Sequence, residues 1–333
     1  MSRMSRRGFL IGTISLAGVG VLGVGEAAAL ESSEIIDCEG WGARPNKGTI
    51  PVWDQRPVKI IVHHTATPNV PDLSQGAADV LARTIQRFHM DRRGWIDTGQ
   101  HFTISRGGFV LEGRHRSLEA LRAGDRQVEG AHCVGQNVLA VGIENQGTYM
   151  SGRPPSQLWN SLRALCAYTC QQYGIDPTEI YGHRDFNDTA CPGDGLYGLL
   201  PQLRSQVADG LGQSAVRAST VSGTWPLLRI GDRGPAVLAA QHLLRAVGER
   251  GMVADGQFDR RTADAVRRFQ AAHRTGEVNG LLGGGSWPLL VGLAGSLDDA
   301  DVAKAVQALN DGRPVRRAVH GPADWQALLA PNN

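Results

Sequence analysis

The chain has 333 residues, a formal net charge of +2 and 41% hydrophobic residues. That content is ample for packed cores, and the length implies two domains. So small a charge gives no basis for nucleic-acid binding; it leaves only a mild basic bias of the kind that suits an anionic cell wall.

The N-terminus reads as an export signal. Ser5-Arg6-Arg7-Gly8-Phe9-Leu10 looks like a twin-arginine motif, Gly8 to Gly25 is uncharged, and Ala27-Ala28-Ala29 offers small residues to a signal peptidase. Residues 1–29 are therefore expected to be a signal cleaved near Ala29, with an uncleaved anchor as the competing reading.

Pro57 to His63 reads as a strand, and its unbroken run Ile60-Ile61-Val62 suits a central strand buried on both faces. Leu73 to Met90 has apolar residues at helical spacing. Gln100 to Ser105 and Val110 to Gly113 flank Arg106-Gly107-Gly108, a hairpin turn. Ala140 to Asn145 is another strand, and Ser156 to Tyr173 a helix begun by Ser156 after two prolines. Irregular alternation of strands and helices points to an α/β fold with a mixed sheet covered by helices.

The first strand runs straight into His63-His64. Far along the chain, Gly182-His183-Arg184-Asp185 is followed by Cys191-Pro192-Gly193. Two imidazoles and one thiolate make a three-ligand zinc site with a fourth position open for water, the arrangement that supports hydrolysis. Ordinary packed histidines and a buried thiol are the alternative. His63 and His64 point to opposite faces of a strand, so only one of them is a ligand. Arg184 and Asp185 are expected to brace the loop. Glu144 ends the apolar stretch Val141-Gly142-Ile143, an expensive place for a charge unless it has a task.

From Cys38 to about Ser205 the chain resembles the zinc N-acetylmuramoyl-L-alanine amidases of the type-2 amidase and peptidoglycan recognition protein family. The matching pieces are Trp41-Gly42-Ala43-Arg44, Ile61-Val62-His63-His64-Thr65-Ala66, Gly94-Trp95-Ile96-Asp97-Thr98-Gly99, Gly130-Ala131-His132, Val141-Gly142-Ile143-Glu144, Gly182-His183-Arg184-Asp185 and Thr189-Ala190-Cys191-Pro192-Gly193, in the family's order. The resemblance implies the same mixed sheet and one Zn2+ held by His63, His183 and Cys191. Some bacterial members have a functional glutamate at the position of Glu144. Thr189 matches a threonine or lysine that contacts the scissile carbonyl. Gln100 stands where many members place a tyrosine that assists the zinc water. A glutamine cannot act as a base at neutral pH but can orient water, which shifts weight to Glu144 and leaves His101 a weaker candidate. In the family, the segment with His132 lines the substrate groove. Trp95 is a further groove candidate, though a core role is the safer reading. Arg114, His115 and Arg116 face either a peptide carboxylate or solvent.

With Cys191 on zinc, four of the five cysteines remain: Cys38, Cys133, Cys166 and Cys170. A bridge between Cys166 and Cys170, four apart on one helix, would be strained, so each is expected to bond elsewhere. The resemblance favours Cys38 with Cys166 or Cys170; reduced, buried thiols are the alternative.

The zinc amidase domain is thus expected over 35–207, and 208–224 reads as a linker. From Trp225 the pattern resembles a three-helix peptidoglycan-binding domain: Gly231-Asp232, Val237, Gln241, Leu244, Asp255-Gly256, Phe258, Thr262 as N-cap, Phe269-Gln270, and a third helix from Ser286-Trp287-Pro288. Ala305-Val306 through Asp324-Trp325 echoes Ala265-Val266 through Ser286-Trp287, so 225–333 carries a partial second repeat. This unit is expected to anchor the protein to the wall and to add nothing to the chemistry.

The expected function is zinc-dependent hydrolysis of the amide between N-acetylmuramic acid and L-alanine. A catalytically inactive recognition protein is the alternative, disfavoured because all three ligands are present. A zinc peptidase is disfavoured by the lack of His-Glu-x-x-His. Peptidoglycan is the expected partner, with no nucleic acid, no stable membrane partner, a monomeric state and a secreted or cell-wall location.

Overall fold

A computed structural model describes residues 35–213, 224–310, 319 and 321–330. The expected signal at 1–29 and most of the expected linker lie outside the described residues. Among these, no helix is long and apolar enough to cross a membrane.

The first unit runs β1 (Ile35–Ile36), β2 (Val52–Trp53), β3 (Lys59–His64), α1 (Gln75–Arg87), β4 (Phe102–Ile104), β5 (Val110–Glu112), α2 (Ser117–Ala123), β6 (Gln127–Val128), β7 (Ala140–Asn145), α3 (Ser156–Tyr173), β8 (Ile180–Gly182), α4 (Asp194–Tyr197) and α5 (Leu200–Gly210). Six strands form one sheet in the order β1-β5-β4-β7-β3-β8, while β2 and β6 pair separately. Among the described residues, only the β4–β5 hairpin is antiparallel within the large sheet; its other pairs are parallel. This is the mixed sheet that the irregular element order implied.

Ile60, Ile61 and Val62 are fully buried, as a central strand requires. One face of the sheet, with Ile60, Val62, Phe102, Val141 and Ile143, packs on Leu158, Leu162 and Leu165 of α3 and Leu203 and Val207 of α5. Each such side chain contributes about 1.5–3 kcal/mol on burial. On the opposite face, Leu111 meets Ala78 and Ala82 of α1 together with Trp41. That helix begins at Ser74, whose hydroxyl accepts the Ala77 N–H, and ends in a single π-type turn over Phe88–Arg92.

The second unit contains α6 (Pro235–Ala246), α7 (Arg260–His273), α8 (Trp287–Gly295), α9 (Ala300–Leu309) and α10 (Pro322–Leu329). Ala265 and Ala305, and likewise Trp287 and Trp325, are buried in one shared core. The echoed tail therefore packs on the first three helices.

Several local expectations need correction. All five cysteines are free thiols. Cys38 lies against Gly113 and Trp41, whereas Cys166 and Cys170 lie in the core beneath the sheet. Helix α5 continues to Gly210, so a boundary after Val207 falls inside a helix. The N-cap of α7 is Asp259, whose carboxylate accepts from Thr262; Thr262 itself is already inside the helix. Helix α3, by contrast, opens at Ser156 directly after Pro155, as expected.

Candidate metal centre

Strand register assembles the site. The β3–β7 pairing sets His63 beside Glu144, and the β4–β7 pairing sets Thr103 on the other side of Glu144. Alternation along each strand puts these three side chains in one row on one face. The β3–β8 pairing sets Val62 beside Gly182, so the chain leaves β8 directly into His183 next to His63. His64 points the other way, as expected, and its Nδ1 accepts the Tyr149 N–H at 3.2 Å.

His63, His183 and Cys191 come together, with one ligand atom of each within 4.8 Å of the others; they are the one such metal-holding cluster among the described residues. Cys191 Sγ lies 3.7 Å from His63 Nδ1. A tetrahedral zinc holds nitrogen and sulfur ligands about 3.3–3.6 Å apart, so a modest inward movement closes the set on one ion. The donor chemistry also fits. Burial, reinforced by neighbouring imidazoles, holds His63 well below its usual 6.5, and burial lowers His183 to about 4. Both rings are neutral at pH 7, as ligation requires. Burial, then the Glu144 charge, pushes the Cys191 thiol well up. That thiol ionises only with a cation beside it, which is what a bound dication provides.

Each imidazole is oriented by its second nitrogen. His63 Nε2 lies 3.0 Å from His132 Nδ1, and His132 Nε2 lies 3.3 Å from the Ala140 carbonyl. His183 Nε2 lies 3.0 Å from Asn187 Oδ1. Both Nδ1 atoms are thereby left as the free acceptors. His132 can lie this close only because β7 carries Gly142; a Cβ there would sit 2.5 Å from the His132 ring. Sequence reading placed His132 in the groove and overlooked Asn187, whose one available signal was its position one turn after a candidate ligand.

The loop that carries Cys191 is tightly braced. Arg184 donates to Asp194 at 2.7 Å and to the Ala190 carbonyl at 2.5 Å. Asp185 accepts the Gly182 N–H and the Tyr197 hydroxyl. Thr189 Oγ1 accepts the Cys191 N–H at 3.2 Å, and Cys191 Sγ accepts the His64 N–H at 3.3 Å.

Among the described residues Glu144 Oε2, which is buried, has no hydrogen-bond partner, and burial pushes its carboxyl up to about 8. Gln100 is buried too; its Nε2 donates to Thr103 Oγ1 at 2.8 Å while its Oε1 has no partner. An orphaned carboxylate oxygen beside three convergent ligand atoms fits a cation with its water.

Other candidates resolve into structural roles. His101 lies 2.8 Å from the Val128 carbonyl at Nε2 and accepts the Gly142 N–H at Nδ1, so neither nitrogen is free. The basic cluster divides. Arg114 is buried and donates to the Thr98 and Glu129 carbonyls, His115 pairs with Asp97, and Arg116 pairs with Glu119. Trp95 is half-buried against His89.

Residues 53–194 match the N-acetylmuramoyl-L-alanine amidase family, and residues 233–287 match a peptidoglycan binding domain family. Peptidoglycan recognition protein 1 of Bos taurus is 32% identical over 203 residues, covering 60% of this chain and 96% of that protein. N-acetylmuramoyl-L-alanine amidase of Homo sapiens is 34% identical over 165 residues, covering 48% of this chain and 26% of that protein. Peptidoglycan-recognition protein LB of Drosophila melanogaster is 30% identical over 211 residues, covering 61% of this chain and 82% of that protein. Aligned with almost the whole of a recognition protein, and matching the amidase family across the strands and loop that carry the site, the chain belongs to the N-acetylmuramoyl-L-alanine amidase and peptidoglycan recognition protein family.

Proposed function

We propose that the protein is a zinc amidase that hydrolyses the bond between the lactyl carbonyl of N-acetylmuramic acid and the nitrogen of L-alanine. The observation that carries this reading is the convergence of His63, His183 and Cys191 on one point, with the orphaned Glu144 carboxylate in the same cross-strand row. A zinc ion bound there supplies Lewis acidity, polarising the scissile carbonyl and easing the deprotonation of water near neutral pH.

The chain's own residues do the rest. Glu144 takes a proton from the attacking water as the new C–O bond forms, then delivers it to the alanine nitrogen as the C–N bond breaks. Burial places the Glu144 carboxyl at about 8, close to neutrality, so its ionised form takes the proton and its acid form gives it back. Thr189 already accepts the Cys191 N–H, so its own O–H is free to donate to the substrate carbonyl. Gln100 has an amide oxygen available to receive a hydrogen bond from water.

We assign 35–213 to this chemistry and place the protein outside the cytoplasm at the cell wall, exported through its twin-arginine leader. The helical unit from Trp225 is its wall-binding part, and the working form is a monomer. Mass spectrometry of digested sacculi tests the reading. Free stem peptides beginning with L-alanine are expected. Intact muropeptides that stay bound but uncut would instead favour a recognition protein without catalysis.

A further inference from the structure

Asp188 lies between the two loop ligands, and is 1% exposed. Among the described residues, every hydrogen bond to its carboxylate comes from the helical unit. Gly283 N and Ser286 N donate to Oδ1 at 2.8 and 3.0 Å, and Ser286 Oγ and Gln270 Nε2 donate to Oδ2 at 2.5 and 3.3 Å. Asn279 Nδ2 donates to the Asp188 carbonyl at 2.5 Å, and Gly284 N to the Arg184 carbonyl at 3.1 Å. Arg229 reaches over to pair with Asp194, the carboxylate that Arg184 also holds.

The run Gly283-Gly284-Gly285 permits this contact. A Cβ on Gly284 would lie 2.1 Å from the Asp185 carbonyl oxygen, and one on Gly285 would lie 2.9 Å from Asp188 Oδ2. These glycines are needed for close approach of the two units.

The neighbours of Asp188 connect it to both ligands. Asn187 holds His183 Nε2, and Thr189 holds the Cys191 N–H. Fixing Asp188 therefore fixes the segment on which both ligands ride, and removes in advance the ordering entropy that ion binding would otherwise have to overcome.

We propose that the helical unit is a positioning part of the metal centre, holding the His183–Cys191 loop in its ion-receiving geometry through Asp188. The proposal rests on the zinc reading above and revises the expectation that residues 225–333 add nothing to the chemistry.

The test uses the full-length protein with Asp188→Ala, Gly284→Ala and the double variant. Hydrogen exchange is followed over residues 184–191 without metal, and zinc affinity is measured by chelator competition. Each single variant is expected to speed exchange across that loop, with β3 and α3 unchanged, and to weaken zinc by about tenfold or more, the usual loss when a ligand's support is removed. If Gly284→Ala unfolds the helical unit, the clamp is lost as well and the same loosening is expected. The double variant should be no worse than Asp188→Ala, because both remove one contact. Wild-type exchange and affinity in either single variant overturns the proposal, and so do additive losses. A wild-type protein that binds no zinc defeats the metal reading, while exchange in the metal-free loop still judges the clamp.

Discussion

The two halves of the candidate metal centre are held by different forces. His63 stands on β3, between β7 and β8, with Ile61 and Val62 fully buried beside it. Its position is set by ladder hydrogen bonds and register, and a one-residue slip would turn it to the other face. His183 and Cys191 stand on a segment that leaves the sheet after Gly182. Their positions depend on hydrogen bonds made by the side chains of Arg184, Asp185, Asn187, Asp188 and Thr189. The strand half is robust because the core enforces it. The loop half is adjustable, and it is the half that the second unit touches.

The largest effect expected from this difference is in the loop. Cys191→Ser should lose bound zinc and turnover while keeping the fold, because the loop contributes little to either core. Elemental analysis and circular dichroism check this together; a folded variant with full zinc content breaks the assignment. The strand half predicts a different pattern. Glu144→Gln should keep its zinc and lose about 10² in turnover, the usual cost of removing a general acid–base group. Wild-type turnover would make Glu144 structural and move attention to Thr189.

Acid should test both halves together. Burial holds His183 and His101 at about 4, and His63 and His132 well below the ordinary 6.5. Below pH 6.5 the unfolded chain binds protons that the folded chain refuses. Stability is therefore fully present above pH 6.5 and is lost as the pH falls toward 4. The denaturant midpoint of metal-free protein should decline steadily over that range; a flat profile between pH 7 and 5 contradicts it. The smallest effect is expected of Gln100→Ala, which removes one neutral hydrogen bond to Thr103. It should cost less than about tenfold in turnover, a loss that steady-state kinetics can distinguish from that of Glu144→Gln.

How much of this was legible in the sequence follows the same division. β7 and α3 were readable to the residue, because apolar runs and helical spacing report burial directly. The candidate ligands His63, His183 and Cys191 stood out as residue types in a family order, and the fold brings them together. The row Thr103–Glu144–His63 was not, since cross-strand register leaves no local mark. Nor was the role of Asn187, an ordinary loop asparagine until the fold brings His183 to it. The glycine run at 283–285 is visible as composition, but its reason lies in the partner backbone it approaches. The disulfide expectation failed for a related cause: cysteine counting reports possible pairings and says nothing about which core each thiol enters.

The central claim is that strand and loop deliver their ligands to one zinc ion. X-ray absorption at the zinc edge of the purified full-length protein tests it most directly. The account predicts one sulfur at about 2.3 Å and two imidazole nitrogens at about 2.0–2.1 Å, with the sulfur absent from any residual zinc in Cys191→Ser. A wild-type zinc shell of nitrogen and oxygen alone would contradict it.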